Sequence, residues 1–185
     1  MTTKGMTTKG LPGLTHVDHV ALTVPDLDAA MKFYTEVIGG EELYRVGPFD
    51  SADFPKAADG RDWGAAHLNV PGAKLTIGMI QIGPTMMLEL FRYEKPDGAN
   101  QTPPRNHDLG GHHVAFKVTD IDAAVAYLKA RGVRVFAGPM ALADGPLGGL
   151  SFVYFLDPWG NQLELVAYDK LGFRADSKVK TYGQK

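Results

Sequence analysis

The sequence predicts an α+β protein built from two related modules, each a strand, a helix and about three further strands. Two observations predict it. At an offset of 94 residues, Asp18 to Ala30 (DHVALTVPDLDAA) aligns with His112 to Ala124 (HHVAFKVTDIDAA), with 8 identities in 13 positions and no gap. At an offset of 75, Met87-Leu88-Glu89-Leu90 aligns with Gln162-Leu163-Glu164-Leu165. A unit of this size cannot bury both faces of its own sheet, so the two copies are expected to pack together.

Each copy opens on an alternating strand. His19, Ala21 and Thr23 share one face and Val20, Leu22 and Val24 the other; His113, Ala115 and Lys117 oppose Val114, Phe116 and Val118 in the same way. An Asp follows in position to cap a helix, Asp26 in one copy and Asp120 in the other. The first helix carries Leu27, Ala30, Met31, Tyr34 and Ile38 before Gly39 and Gly40; the second carries Ile121, Ala124, Val125 and Leu128 before Gly132. Later in the second copy, Phe152 to Leu156 reads as a strand, Asp157-Pro158-Trp159-Gly160-Asn161 as a turn, and the following strand contains Glu164.

The two offsets differ by 19 residues, so the first copy holds an insertion of that length. Pro48, Asp50, Ser51, Asp53, Pro55, Asp59 and Gly60 place it in loop at about 47–66, where it could fold over the site. The organisation expected is an N-terminal extension (1–13), a first module (14–95), a linker (96–107), a second module (108–170) and a polar tail (171–185). The extension repeats Met-Thr-Thr-Lys-Gly, reads as a duplicated start or cloning scar, and is expected to be mobile.

Bulk properties exclude several classes of function. The 185 residues have 44% hydrophobic and 22% charged residues and a formal net charge of -2, the profile of an ordinary globular chain. No basic footprint for nucleic acid is present. No apolar run approaches the roughly 18 residues needed to cross a bilayer, and no secretory signal is evident, so a soluble cytoplasmic protein is expected. With no cysteine, disulfides, thiolate metal sites and cysteine nucleophiles are excluded, and any metal must take nitrogen and oxygen ligands.

His19 and His113 are the two of six histidines at repeated positions, and Glu89 and Glu164 recur in the closing strands. A single strand His is more often a hydrogen-bonded structural residue than a ligand, and a single strand Glu usually faces solvent. Recurrence changes the balance, because each Glu lies between apolar neighbours, where an unpaired carboxylate is costly. Two imidazoles and two carboxylates that converge between paired modules would form a site for one divalent ion, Zn, Ni, Fe, Co or Mn, with positions left for water or substrate. His16, His67, His107 and His112 have no such counterpart; of these His67, beside the insertion, is the one best placed to reach a substrate.

The paired DHVALTVPDLDAA and HHVAFKVTDIDAA segments, with FLDPWGNQLELV closing the second copy, resemble the vicinal oxygen chelate superfamily, which includes glyoxalases, epimerases, extradiol dioxygenases and bleomycin-binding proteins. The resemblance covers the chain from His16 to Tyr168. It implies paired β-α-β-β-β modules curling into an incomplete barrel around a metal site, with His19, Glu89, His113 and Glu164 as ligands. A complete ligand set resembles the lyase and epimerase branch, in which the metal stabilises an enediolate as a proton leaves the adjacent carbon. By the same analogy Glu164 is the base, with Glu89 its close rival. The resemblance also implies a small-molecule substrate with vicinal oxygens and a homodimer; it leaves open whether the ligands meet within one chain or across two.

Two alternatives remain. An iron-dependent extradiol-type dioxygenase of an aromatic diol is favoured by the aromatic residues near the motifs, and a drug- or metabolite-binding protein without catalysis needs no metal. The insertion and the lack of a DPxGN turn before Glu89 depart from the compact glyoxalase pattern and weigh against glutathione as a cofactor. Phe49, Phe54, Trp63, Phe91, Tyr93, Phe152, Tyr154 and Trp159 are mostly core by default, with some expected to line a pocket; Arg45, Arg92 and Arg105 could hold an anionic group, and the Gly-rich stretch at 144–149 is either a mobile loop by the site or a plain connection.

Overall fold

The computed structural model describes residues 11–168. The mobility expected of residues 1–10 and the tail expected at 171–185 lie outside the described residues. The chain divides into two compact units, 1–97 and 98–185, and each has a four-stranded mixed sheet with few helices.

In the first unit the elements are β1 (His19–Thr23), α1 (Leu27–Lys32), β2 (Glu41–Asp50), β3 (Lys74–Ile82) and β4 (Met86–Lys95), and the sheet order is β1-β4-β3-β2. β1 runs parallel to β4, which is possible because α1 and two strands separate them in the chain; β2, β3 and β4 are antiparallel neighbours. The second unit repeats the plan with β5 (Val114–Lys117), α2 (Ile121–Ala130), β6 (Met140–Ala141), β7 (Leu150–Leu156) and β8 (Gln162–Tyr168), in the order β5-β8-β7-β6. The α+β class and the repeated module are therefore present as expected.

The expected alternation is visible in burial. Leu22 and Val24 are buried on the helix side of β1 while Ala21 and Thr23 are exposed, and Val114 is buried between exposed His113 and Ala115. On that side of the first sheet Leu88, Leu90 and Ile80 are fully enclosed with Ala30, Met31 and Tyr34. Gly78 is required there, since a Cβ would stand 2.5 Å from Met31 Sδ. In the second unit Ile121, Val125 and Leu128 of α2 are buried, as are Val153, Phe155, Leu163 and Leu165 of the sheet.

Both helices start as the sequence predicts. Asp26 Oδ1 accepts the Ala29 N–H at 3.0 Å and Asp120 Oδ1 the Ala123 N–H at 2.9 Å, each satisfying a donor that the first helical turn leaves free. The first helix differs in its second half: Phe33–Val37 forms a π-helical turn in place of a continuous α-helix, with Ile38 N–H bonding to Phe33 O at 3.2 Å.

The region expected as inserted loop is partly strand. β2 continues through Pro48 to Asp50, and the pairing with β3 slips between Val46 and Phe49, so the missing N–H of Pro48 falls where the ladder is already broken. Beyond it lie a 3₁₀ turn at Ser51–Asp53 and a π-helical turn at Gly64–Leu68. Asp62 Oδ1 accepts the N–H groups of Ala65 and Gly72, at 3.0 and 3.1 Å, and buried Ser51 Oγ accepts that of Gly64 at 3.1 Å. These bonds make the segment a built loop. Among the described residues no helix is long and apolar enough to cross a membrane.

Candidate metal centre

The strand registers place the four candidate ligands in two matching pairs. In the first unit Ala21 lies opposite Glu89 across the parallel β1–β4 ladder, so His19, two residues earlier on the same face, reaches diagonally to that carboxylate. In the second unit Ala115 lies opposite Glu164 in the same way, and His113 stands two residues before it. His19 Nε2 is 3.3 Å from Glu89 Oε2, and His113 Nε2 is 3.1 Å from Glu164 Oε2.

These separations suit two ligands of one cation. Nitrogen and oxygen donors about 2.1 Å from a metal stand about 3.0–3.4 Å apart when the angle between them is right or tetrahedral. The same spacing suits a hydrogen bond from a protonated imidazole. Each unit thus carries one imidazole–carboxylate pair with nitrogen and hard oxygen donors. Among the described residues, no group of three or more His, Asp or Glu side chains stands together as a complete metal cluster.

The two pairs are related but unequal. His19 Nδ1 lies 2.8 Å from Asp18 Oδ1, whereas the position matching Asp18 is His112, whose Nδ1 faces the Gly110 carbonyl at 3.2 Å. The edge of His113 meets Tyr154, with ring centroids 5.1 Å apart, and Phe152 packs against Tyr154 in turn. Tyr154 lies opposite Glu164 in the β7–β8 ladder; the matching residue opposite Glu89 is Met79. The Glu164 side chain is 10% exposed and that of Glu89 16%, so the second carboxylate is the more enclosed. Burial pushes the Glu164 carboxyl up from its ordinary value, against the opposing pull of His113. Burial, and then the charge of Glu164, push the Tyr154 phenol up; burial and Glu89 act likewise on Tyr93.

Glu164 is set by the turn that precedes its strand. The buried Asp157 carboxylate accepts the N–H groups of Trp159 and Asn161, at 3.0 and 2.8 Å, and the Asn161 side-chain amide at 2.7 Å. Gly160, at φ +95°, supplies a backbone conformation that residues with a side chain rarely adopt.

On the face of the first sheet that bears Glu89, Phe91 and Tyr93 follow along β4 with their rings stacked at 5.7 Å. Phe49 pairs with Leu75 and so joins this face farther along, where it meets Phe54 and Trp63, which stack at 4.8 Å. His67 sits 6.3 Å from Trp63, on the loop side of that cluster.

The arginines lie elsewhere. Arg45 pairs with Gly78 and Arg92 with Thr76, which puts both on the helix side of the sheet, lining a cleft with Pro25, Asp28 and Thr76. Arg45 is paired with Asp28 and Glu42, and Arg92 with Glu94, so neither is a free anion contact at Glu89. Arg105 is exposed, its backbone N–H bonded to Asp108. The Gly-rich stretch holds a short 3₁₀ turn at Gly145–Leu147. Asp18, Met79 and the pairing of Tyr154 with His113 were not apparent as site features in the sequence. The comparison of Asp18 with His112 across the repeat was the signal available for the first.

The repeated module, with one imidazole–carboxylate couple in each copy, accords with the family the sequence matches. The sequence model of the Glyoxalase/Bleomycin resistance protein/Dioxygenase superfamily matches residues 16–165, and the chain belongs to that superfamily. It is 48% identical over 163 residues to a 2-epi-5-epi-valiolone epimerase of an Actinomyces species, covering 87% of this chain and 84% of that one. It is 33% identical to a lactoylglutathione lyase of Schizosaccharomyces pombe, covering 82% of this chain but 47% of the longer relative. A solved glyoxalase family protein from Bacillus cereus shares the fold at a TM-score of 0.64 and 22% identity, covering 89% of this chain and 99% of its own.

Proposed function

We propose that this chain is a divalent-metal-dependent isomerase, an epimerase acting on a small substrate with oxygens on adjacent carbons, and that His19, Glu89, His113 and Glu164 are its metal ligands. The observation that carries the reading is the recurrence of one imidazole–carboxylate couple at ligand spacing in both modules. For four ligands to act on one ion, the half-sites meet within one chain or across two. The similarity to an enzyme named as a 2-epi-5-epi-valiolone epimerase supports isomerisation over lyase chemistry and makes that ketone the first substrate to test.

A cation held by such a set supplies Lewis acidity to the paired substrate oxygens. The residues of the chain supply the proton transfer. A carboxylate takes the proton from the carbon beside the carbonyl, the electron pair moves onto the carbonyl oxygen, and a carboxylic acid returns a proton to the opposite face of that carbon. Inversion is simplest with a donor on each face, a demand that one Glu per module would meet if both half-sites bind the same substrate. Glu164 is the first base, because its enclosure already disfavours the charged form and so strengthens it as a proton acceptor. The same reading has the chain acting as a homodimer in the cytoplasm.

The test is incubation of the metal-loaded protein with 2-epi-5-epi-valiolone in deuterated water, followed by NMR. Inversion with deuterium entering beside the ketone is expected, lost on chelation and restored by one of Zn, Ni, Fe, Co or Mn. Glu164→Gln should lower kcat about 10²–10⁴-fold while retaining some metal. Oxygen uptake with catechols in place of exchange would mark a dioxygenase, and tight binding without any turnover a sequestering protein; either result removes the epimerase reading.

A further inference from the structure

We infer that Asp18 is a positioning residue for His19, making the first imidazole the more firmly held of the two donors. The inference rests on the metal-binding reading above and deepens it. Asp18 Oδ1 stands 2.8 Å from His19 Nδ1, while Nε2 of the same ring faces Glu89. A carboxylate that accepts the Nδ1–H bond selects the neutral tautomer whose lone pair is on Nε2, the atom turned toward the other ligand. It also holds the ring's rotation.

The internal repeat supplies the contrast. In the second module the matching residue is His112, which turns to the Gly110 carbonyl, and His113 is braced by the edge of Tyr154. Among the described residues no carboxylate faces His113 Nδ1; its one acidic contact is Glu164, through Nε2. Two half-sites with the same ligands therefore differ in what stands behind the imidazole. The first is the anchor. The second, His113 with Glu164, is the couple that yields, and this asymmetry favours Glu164 as the carboxylate released for proton transfer.

The Asp18 side chain is 63% exposed, so its bond to His19 adds little to folding stability. Its effect falls on metal affinity, which separates positioning from a structural role. The experiment uses the full chain stripped of metal, with zinc titrated against a chromophoric chelator. D18A is expected to weaken zinc about 10- to 100-fold with the melting temperature of the stripped protein unchanged. D18N is expected to recover part of the loss, because its amide oxygen still accepts from Nδ1–H. Wild-type affinity in D18A would overturn the inference and leave the proposed function standing. A D18N variant as weak as D18A would overturn the orienting role in favour of charge alone. A wild-type chain that binds no zinc, nickel, cobalt, iron or manganese would instead overturn the metal-binding reading itself.

Discussion

Leu88 and Glu89 are neighbours in sequence and opposites in role. Leu88 points to α1 and is fully enclosed, while Glu89 points to the other face and meets His19. Leu88→Ala should cost about 2–5 kcal/mol in a denaturant titration, the cost of a cavity in a closed core. Glu89→Ala should leave that titration nearly unchanged and abolish high-affinity zinc binding, because a part-exposed carboxylate with one imidazole partner contributes little to folding. A large loss of stability without any effect on zinc would remove Glu89 from the site. Glu164 faces away from Leu163 and Leu165 by the same strand alternation, but it too is buried, and its charge is accommodated by His113.

At the scale of elements, the turn from β7 to β8 leads into the strand that carries Glu164. Three donors converge on the Asp157 carboxylate, which is 3% exposed, and its own N–H bonds to the Asn161 carbonyl at 3.0 Å. Asp157→Ala would leave the Trp159 and Asn161 N–H groups without their acceptor, and a loss of about 1–3 kcal/mol is expected by thermal or chemical unfolding. An unchanged midpoint would show that water replaces the carboxylate at no cost. The first module lacks this turn and has a built loop elsewhere, tied by Asp62 and Ser51. The DPxGN turn of the second copy was legible because turn residues act locally; the strand character of Pro48 and Asp50 was not, since it depends on a slip in pairing with β3.

For the whole molecule, the proposed division of ligands between two units would make metal binding a constraint on both. A cation that binds the folded state alone stabilises it by about 2.7 kcal/mol at a hundredfold excess over Kd, so the melting temperature should rise with added zinc after chelation. His19→Ala and His113→Ala should each abolish that rise, though they lie in different units. If only one of them does, the ion is held by a single half-site.

Alternation, capping and duplication are local or self-comparing properties, and the chain's own residues are enough to establish them: the modules, the helix starts at Asp26 and Asp120, and the two strands that present His and Glu. Pairing across strands is a different matter. That His19 and Glu89 meet depends on a parallel register between segments some seventy residues apart, set by core burial on the opposite face. The roles of Asp18, Tyr154 and the arginines likewise followed from orientation, because a side chain's partner is chosen by which face its strand turns inward and not by residue type.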